Sequence, residues 1–232
     1  MTDSLERITA EVVACRRCPR LVAWREESAS NPPARHRGED YWARPLPGFG
    51  DPAARLLVVG LAPAAHGGNR TGRIFTGDAS GDWLFRALHR AGFANQPHSR
   101  HLDDGLALTD CYIAAVVRCA PPANRPTPGE RDACLPYLVR ELDQLRQVRV
   151  VVPLGGFAWN GTLLALAARR VPMPKPRPAF GHLAKATVGG LTLLGSYHPS
   201  QQNTFTGRLT EPALDAVFVR ARRLLERADG MR

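Results

Sequence analysis

Four of the five cysteines form two pairs that lie far apart in the sequence. Cys15 and Cys18 are separated by two residues near the start, and Cys119 and Cys134 follow in the middle of the chain. A Cys-x2-Cys pair allows both thiolates to reach one metal centre. The other two ligands must then come from far along the chain, so such a site would fasten the N-terminal segment to the body of the fold. The spacing of the cysteines leaves open whether the metal is zinc or an iron–sulfur cluster.

A second candidate site is a long glycine-rich loop, residues 60–81, which we call the motif loop. Its six glycines allow the backbone to approach a ligand closely. It also carries side-chain hydrogen-bond donors, namely His66, Asn69, Arg70 and Arg73. Neither GxxxxGK nor GxGxxG occurs in it, so the pattern is weak support for nucleotide binding. An ordinary surface loop is the alternative, but a loop of this length in a compact domain is more often functional than idle.

A third candidate is the sequence SYHPSQQNTFTGR, residues 196–208, which we call the histidine loop. It follows the last predicted strand directly and places His198 near the strand end. His198 could donate a hydrogen bond to a developing anion, although a single histidine is more often structural. Hydroxyl, amide and guanidinium groups that suit contacts with phosphates and bases surround it. They are Ser200, Gln201, Gln202, Asn203 and Arg208.

Short apolar strands that alternate with helices would position these loops. Strands are predicted at 55–60, 111–119 and 148–155, with a hairpin of strands at 184–188 and 191–197. Helices are predicted at 4–29 with a break at Cys18, and at 82–91, 130–145, 157–169 and 209–228. This alternation predicts a mainly parallel sheet covered by helices on both faces. Ligands bind at the carboxyl ends of such strands, where the candidate loops begin.

Composition narrows the class of protein. At 232 residues and 44% hydrophobic content, the chain is long enough for one large domain with a real core. It has no apolar run that could span a bilayer, and its N-terminus is acidic and amphipathic, so we expect a cytoplasmic protein. In a reducing cytosol, cysteine pairs indicate metal or redox sites before disulfides.

The net charge of +10 favours a polyanionic partner, most simply nucleic acid. Of the 31 basic residues only two are lysines, Lys175 and Lys185. The alternative is that an arginine-rich genome raises the arginine count without a binding role. No feature of the sequence indicates an oligomer, so we expect a monomer.

Three ordered motifs and the cysteine quartet resemble the family 5 uracil-DNA glycosylases of bacteria and archaea. The motifs are GLAPAAHGGNRTGRIFTGDASG, AAVVRCAPPANRPTP and SYHPSQQNTFTGR, and YWARPLPGFGDP also fits. The resemblance runs from Cys15 to Arg208. It implies a single domain, residues 1–232, with a three-layer α/β/α sandwich around a four-stranded, mainly parallel central sheet. It also implies a [4Fe-4S] cluster on the four cysteines, while Cys111 packs as a small apolar residue.

The resemblance implies a DNA repair enzyme that flips uracil out of double-stranded DNA and hydrolyses its N-glycosidic bond. The catalytic residues would be Asp78, His198 and Asn124. The base would lie against Gly60, Leu61, Ala62, Pro63, Phe75 and Ala115. Contacts with DNA would come from Asn69, Arg70, Arg73, Arg125, Ser200, Gln202 and Arg208.

Two positions depart from the related family 4 enzymes. Leu61 stands where those enzymes have a carboxylate, and Ala115 stands where their asparagine reads the edge of uracil. Both departures are typical of family 5. They imply relaxed polar recognition, so that other deaminated bases such as hypoxanthine would also be accepted.

Two of the residues in this set have a purely structural alternative. Asp78 precedes a predicted helix and could serve only as its N-cap. Phe75 could serve only in core packing.

Two other classes of protein stay open. The first is an iron–sulfur protein that binds damaged DNA without turnover. One relative of these enzymes captures uracil-DNA covalently through a basic insert before its motif histidine, but here Gly195 to Tyr197 lead straight to His198. The second is a zinc- or cluster-containing redox protein, although no cofactor fingerprint accompanies the cysteines.

Overall fold

The computed structural model describes residues 3–229, and its strands and helices alternate as predicted. Within this part of the chain the strands are β1 (Phe49–Gly50), β2 (Leu56–Gly60), β3 (Cys111–Ala115), β4 (Val150–Pro153), β5 (Lys185–Val188) and β6 (Leu191–Leu194). The α-helices are α1 (Leu5–Val13), α2 (Pro19–Ser30), α3 (Gly68–Thr71), α4 (Ala79–Arg90), α5 (Pro128–Gln144), α6 (Gly156–Ala168), α7 (Gln201–Phe205) and α8 (Glu211–Asp229). Two 3-10 helices span Ala34–His36 and Pro122–Asn124.

The sheet has six strands in the order β1-β3-β2-β4-β6-β5. The four central strands are parallel to one another, which agrees with the predicted sheet. Strands β1 and β5 add antiparallel edges on either side. The analysis of the sequence missed β1 because two residues in a stretch rich in proline and glycine carry no periodic pattern.

The sheet is buried on both faces, which completes the three layers. Alternate residues of β2 point to opposite sides, so that Leu56 and Val58 join one core cluster while Leu57 and Val59 join the other. The first cluster includes apolar side chains of α4 and α8. The second includes side chains of α5 and α6. This double burial explains why the strands are continuous apolar runs rather than alternating patterns.

Strands β3, β4 and β6 end earlier than predicted, whereas β2 and β5 end where predicted. Two predicted loops contain short helices. Strand β3 stops at Ala115 rather than at 119, although the amides of Val116 and Val117 still donate to the carbonyls of Gly60 and Leu61 at 3.0 Å. The motif loop contains α3, and the histidine loop contains α7. Among residues 3–229, no helix combines the length and apolar character needed to cross a membrane.

Candidate active site

The motif loop and the histidine loop both begin at the carboxyl edge of the parallel strands. The motif loop leaves β2 at Gly60, which pairs with Ala115 at the end of β3. The histidine loop is fastened to the end of β4, because the Ser196 carbonyl accepts from the Gly155 amide at 2.7 Å. The Ser196 amide donates in turn to the Pro153 carbonyl at 3.1 Å. The two loops are thus anchored on neighbouring parallel strands.

Phe75 and His198, predicted from different motifs, lie side by side. Their ring centroids are 5.8 Å apart and the ring planes are inclined by 33°. Phe75 is 7% exposed and has a φ of +56°, a conformation that bulky residues rarely adopt. Gly60 makes room for the ring, because a Cβ there would lie 2.9 Å from Cε2 and Cζ of Phe75. Such a strained aromatic beside a histidine is typical of a functional site.

His198 has a partly buried side chain. Its burial lowers the pKa of the imidazole to about 4, so the neutral form prevails at physiological pH. A neutral imidazole still has one N–H that can donate a hydrogen bond. The backbone around it is held by Asn203, whose Nδ2 donates to the His198 carbonyl at 2.8 Å. The neutral His198 imidazole therefore carries an N–H that can donate at physiological pH.

Asp78 caps helix α4. Its Oδ1 accepts a hydrogen bond from the Gly81 amide at 2.9 Å. Asp78 therefore does serve as the N-cap that its place before a helix predicted. The other oxygen lies against Gly67, where a Cβ would be 2.1 Å from Oδ2. Burial raises the pKa of this carboxyl. A carboxylate has several acceptor sites, so capping with one oxygen is compatible with a second role for the other.

Gly81 connects Asp78 to Phe75. Its amide is the donor to Asp78, and a Cβ at Gly81 would lie 1.9 Å from the Phe75 carbonyl oxygen. The first turn of α4 therefore packs directly against the Phe75 backbone. The structure brings Asp78, Phe75 and His198 into one region, as the motifs predicted.

Two of the predicted DNA contacts have side chains that are buried and bonded within the protein, which does not suit a contact with DNA. Asn69 is fully buried, and its Nδ2 donates to the Arg25 carbonyl at 3.1 Å. Arg73 is 8% exposed and forms an ion pair with Asp104 at 2.6 Å. It also donates to the Ser99 hydroxyl at 2.8 Å. Both side chains therefore stabilise the motif loop through contacts inside the protein.

Arg70 is also used within the protein rather than held out to solvent. Its Nε donates to the His66 carbonyl at 2.9 Å, and its Nη2 donates to the Gly77 carbonyl at 3.0 Å. Its Nη1 pairs with Glu39. Gly77 directly precedes Asp78, so the hydrogen bond from Arg70 to the Gly77 carbonyl helps to hold the backbone that positions the Asp78 carboxylate. This placement does not suit the free phosphate contact predicted for Arg70.

The remaining polar residues predicted at the site lie on the surface, except Ser200. Asn124 and Arg125 are exposed, and Asn124 has a φ of +55° at the end of a 3-10 helix. Gln202 and Arg208 are exposed on the histidine loop, and the Arg208 guanidinium lies 4.5 Å from the centroid of the Tyr197 ring. Ser200, which is partly buried, precedes α7 as its N-cap residue.

The residues predicted to contact the base form a largely apolar wall at the strand ends. Gly60, Pro63 and Ala115 are buried, and Leu61 and Ala62 are partly buried. Ala115 belongs to the same core cluster as Phe75. None of these side chains offers a polar group to a base edge.

The sequence analysis missed Phe205, the last residue of α7. Its side chain is 81% exposed, far more than any other large hydrophobic residue described. The sequence signal that could have identified Phe205 is its place as a single aromatic residue within the polar run QQNTFTGR. It lies on the same loop as His198.

The four predicted metal ligands come together in one cavity between the N-terminal segment and the body of the fold. It is lined by Cys15, Cys18, Cys119 and Cys134 together with apolar side chains that include Leu21 and Val22. The Arg118 amide donates to Cys134 Sγ at 3.2 Å, and Arg25 Nη1 donates to Cys119 Sγ at 3.2 Å. Cys111 is fully buried in the first core cluster, as predicted for a small apolar residue.

Within residues 3–229, no group of three or more histidine, cysteine, aspartate or glutamate side chains has the arrangement of a metal-ion site. A tetrahedral zinc would require the four sulfurs to converge to about 2.3 Å from one point.

The fold and the strand-end loops are those of a known superfamily. A sequence profile described as "Uracil DNA glycosylase superfamily" matches residues 47–222, which include the motif loop and the histidine loop. The chain belongs to this superfamily.

Comparison with individual proteins narrows the relationship. The chain is 51% identical over 223 residues to a type-5 uracil-DNA glycosylase of Mycobacterium tuberculosis, covering 95% of this chain and 82% of the relative. It is 51% identical over 220 residues to the type-5 enzyme of Thermus thermophilus, covering 94% and 97%. Identity to a type-4 enzyme of Pyrobaculum aerophilum is lower, at 31% over 181 residues, covering 77% and 80%. The predicted resemblance to the family 5 enzymes is confirmed.

Proposed function

We propose that this chain excises uracil from double-stranded DNA by hydrolysing the N-glycosidic bond, and that it acts in DNA repair. The observation that carries the proposal is the convergence of Phe75, His198 and Asp78 at the strand ends of a uracil-DNA glycosylase fold. The names of the type-5 relatives support the same activity. The net charge of +10 suits a DNA partner, and we propose that the enzyme acts as a monomer.

The base must leave the helix before it can react, at a cost of about a few kcal/mol. The Phe75 ring would then stack on the extruded base. As the C–N bond lengthens, negative charge develops on the base, and the neutral N–H of His198 would donate to a base oxygen. The amides of Leu61 and Ala62 are further candidate donors. Because His198 is uncharged, it would stabilise this anion without first losing or gaining a proton.

The sugar left behind develops positive charge, as in other glycoside cleavage. Asp78 supplies a negative charge for that centre and, with Asn124, would position the attacking water. The burial that raises the pKa of Asp78 also makes its charge more effective, since the surroundings screen it less than water would.

We propose that the base pocket accepts other deaminated bases besides uracil, hypoxanthine above all. Leu61 and Ala115 place apolar groups where a selective pocket would use polar ones. A hydrogen-bonding site rejects analogues that leave its polar groups unpaired, whereas an apolar wall cannot do so. Relaxed base selection follows from this lack of polar groups.

Duplexes carrying uracil, hypoxanthine, xanthine or ethenocytosine test the function directly. Each duplex is incubated with the protein and then cleaved with alkali, which reveals abasic sites. Strand cleavage together with free base in solution is the expected result for uracil. A protein–DNA adduct, or a mobility shift without free base, would instead support a damage-binding protein without turnover.

Phe205 gives a prediction that concerns duplex DNA in particular. We propose that this exposed aromatic ring inserts between bases and holds the helix open while the target base is extruded. Phe205→Ala should therefore slow uracil release from duplex DNA by about ten-fold, a loss of the size of one base–aromatic stack, and much less from single-stranded DNA. Single-turnover rates on both substrates measure this. Val219→Ala, which removes an exposed apolar side chain from α8, is the control, and equal losses on both substrates would contradict insertion.

We also propose that the cysteine cavity holds a [4Fe-4S] cluster. Four thiolates are the usual ligands of such a cluster. The four cysteines line one cavity, and the resemblance to the family 5 enzymes favours a cluster over zinc at this all-cysteine site. The cluster would supply structural cross-linking of α2 to the segments around Cys119 and Cys134, rather than a step of the hydrolysis. Iron and sulfide analysis together with the visible absorbance of the purified protein tests this, and stoichiometric zinc without iron would contradict it.

A further inference from the structure

Arg25 is a buried cation whose side chain bonds to a cysteine sulfur. It lies on α2, is 1% exposed, and takes part in none of the ion pairs found among residues 3–229. Its Nη1 donates to Cys119 Sγ at 3.2 Å and to the Cys15 carbonyl at 3.4 Å, while its Nε has no hydrogen-bond partner. Arg118, equally buried beside the same cavity, is neutralised by Glu141. The two arginines therefore differ in where their counter-charge comes from.

An isolated buried charge is costly, so a protein normally pairs it or removes it. Glu26, the next residue along α2, also attracts Arg25, but its exposed carboxylate forms its salt bridge with Arg16. Among the described residues, the ionisable side chain to which Arg25 donates a hydrogen bond is Cys119 of the cavity. Thiolates bound to a metal carry negative charge, and groups that hydrogen-bond to ligating atoms strongly affect how firmly the metal is held. We infer that Arg25 is a positioning residue whose guanidinium is the counter-ion of the cluster-holding thiolates. This inference rests on the cluster proposed above.

The backbone of Arg25 extends the inference to the active site. Its carbonyl accepts from the fully buried Asn69 side chain at 3.1 Å, and the Asn69 carbonyl accepts in turn from the Ala43 amide at 3.0 Å. Asn69 lies in α3, within the motif loop that carries Phe75. Arg25 thus contacts the cavity with its side chain and the motif loop with its backbone. Loss of the cluster would leave the guanidinium uncompensated, displace this part of α2 and loosen the motif loop.

Substitution of Arg25 in the purified holoprotein tests the first half of the inference. Arg25→Gln removes the charge and should speed iron release to a chelator by about ten-fold or more, the usual effect of removing a group that supports a metal ligand. Arg25→Lys keeps the charge but loses the planar geometry, and should be intermediate. Arg7→Gln, which changes an exposed arginine on α1, should release iron at the wild-type rate. Wild-type iron retention in Arg25→Gln would overturn the inference.

Hydrogen exchange of the wild-type protein with and without its cluster tests the second half, and needs no variant to fold. Removal of the cluster should raise amide exchange in residues 68–75 by about ten-fold or more, with the β5–β6 hairpin unchanged as an internal control. Unchanged protection of residues 68–75 would overturn the link to the motif loop. The outcome is separable from the proposed functions: absence of iron in the wild type refutes the cluster and this inference together, whereas absence of uracil release refutes only the enzymatic activity.

Discussion

Asp78→Ala is expected to slow uracil release from duplex DNA by about a hundred-fold or more, the scale of one positioned electrostatic group. The substitution removes the carboxylate that accepts from Gly81, the residue packed against Phe75, and with it the charge proposed to stabilise the sugar cation. Single-turnover rates with excess enzyme measure the chemical step without interference from product release. Binding to uracil-containing duplex should change far less than the rate.

Loss of the helix cap could mimic this result, so Asp78→Asn is the decisive companion. Asparagine caps helices about as well as aspartate and has nearly the same shape, yet it carries no charge. If Asp78 acts through its charge, Asp78→Asn should be almost as slow as Asp78→Ala. Near-wild-type rates for Asp78→Asn would reduce Asp78 to a helix cap.

The raised pKa of Asp78 also predicts how the stability of the folded protein depends on pH. Burial raises its folded-state pKa above the unfolded value, so the native state binds more protons than the unfolded state between these two pKa values. Ionised Asp78 therefore reduces stability at neutral pH, and this penalty disappears as the pH falls below the unfolded pKa. Asp78→Asn should be at least as stable as the wild type at pH 7 in a urea titration, which would separate its effect on rate from any effect on folding.

The sequence predicted best those elements of the fold that depend on residues close together in the chain. The buried strands, the hairpin and the break before α2 were all predictable, because each leaves a local pattern of apolar residues, glycine or proline. The rule that loops at the carboxyl ends of parallel strands share one edge brought the two loops together, but the pairing of Phe75 with His198 came from the family motifs. Neither segment alone shows that β2 and β6 lie on either side of β4.

Side-chain burial was the main failure, and its cause is tertiary. Asn69 and Arg73 look like DNA contacts because they are polar residues of a glycine-rich loop. Their partners come from remote segments, namely the Arg25 carbonyl and the Ser99 and Asp104 side chains, so burial depends on folding that no local pattern encodes. Phe205 shows the opposite error, because apolar residues are expected inside and this one is exposed.

His198→Ala should also slow uracil release from duplex DNA by about a hundred-fold or more, because it removes the proposed donor to the departing base. His89→Ala, at an exposed histidine of α4, should leave the rate unchanged.

The pH dependence of the rate should distinguish His198 from Asp78. Burial lowers the pKa of His198 to about 4, so its neutral form persists across physiological pH and its titration should not shape the rate between pH 6 and pH 8.

The acid limb of the rate profile should belong to Asp78 instead. Its raised pKa means that the wild-type rate falls with decreasing pH as this carboxylate is protonated. The slow His198→Ala enzyme should keep that dependence, since Asp78 is still present, whereas Asp78→Asn should lose it. A wild-type profile with a transition near pH 6.5 that vanishes in His198→Ala would mean that the imidazole titrates normally in the complex. In that case His198 would act as a charged acid, and the neutral-donor mechanism would be wrong.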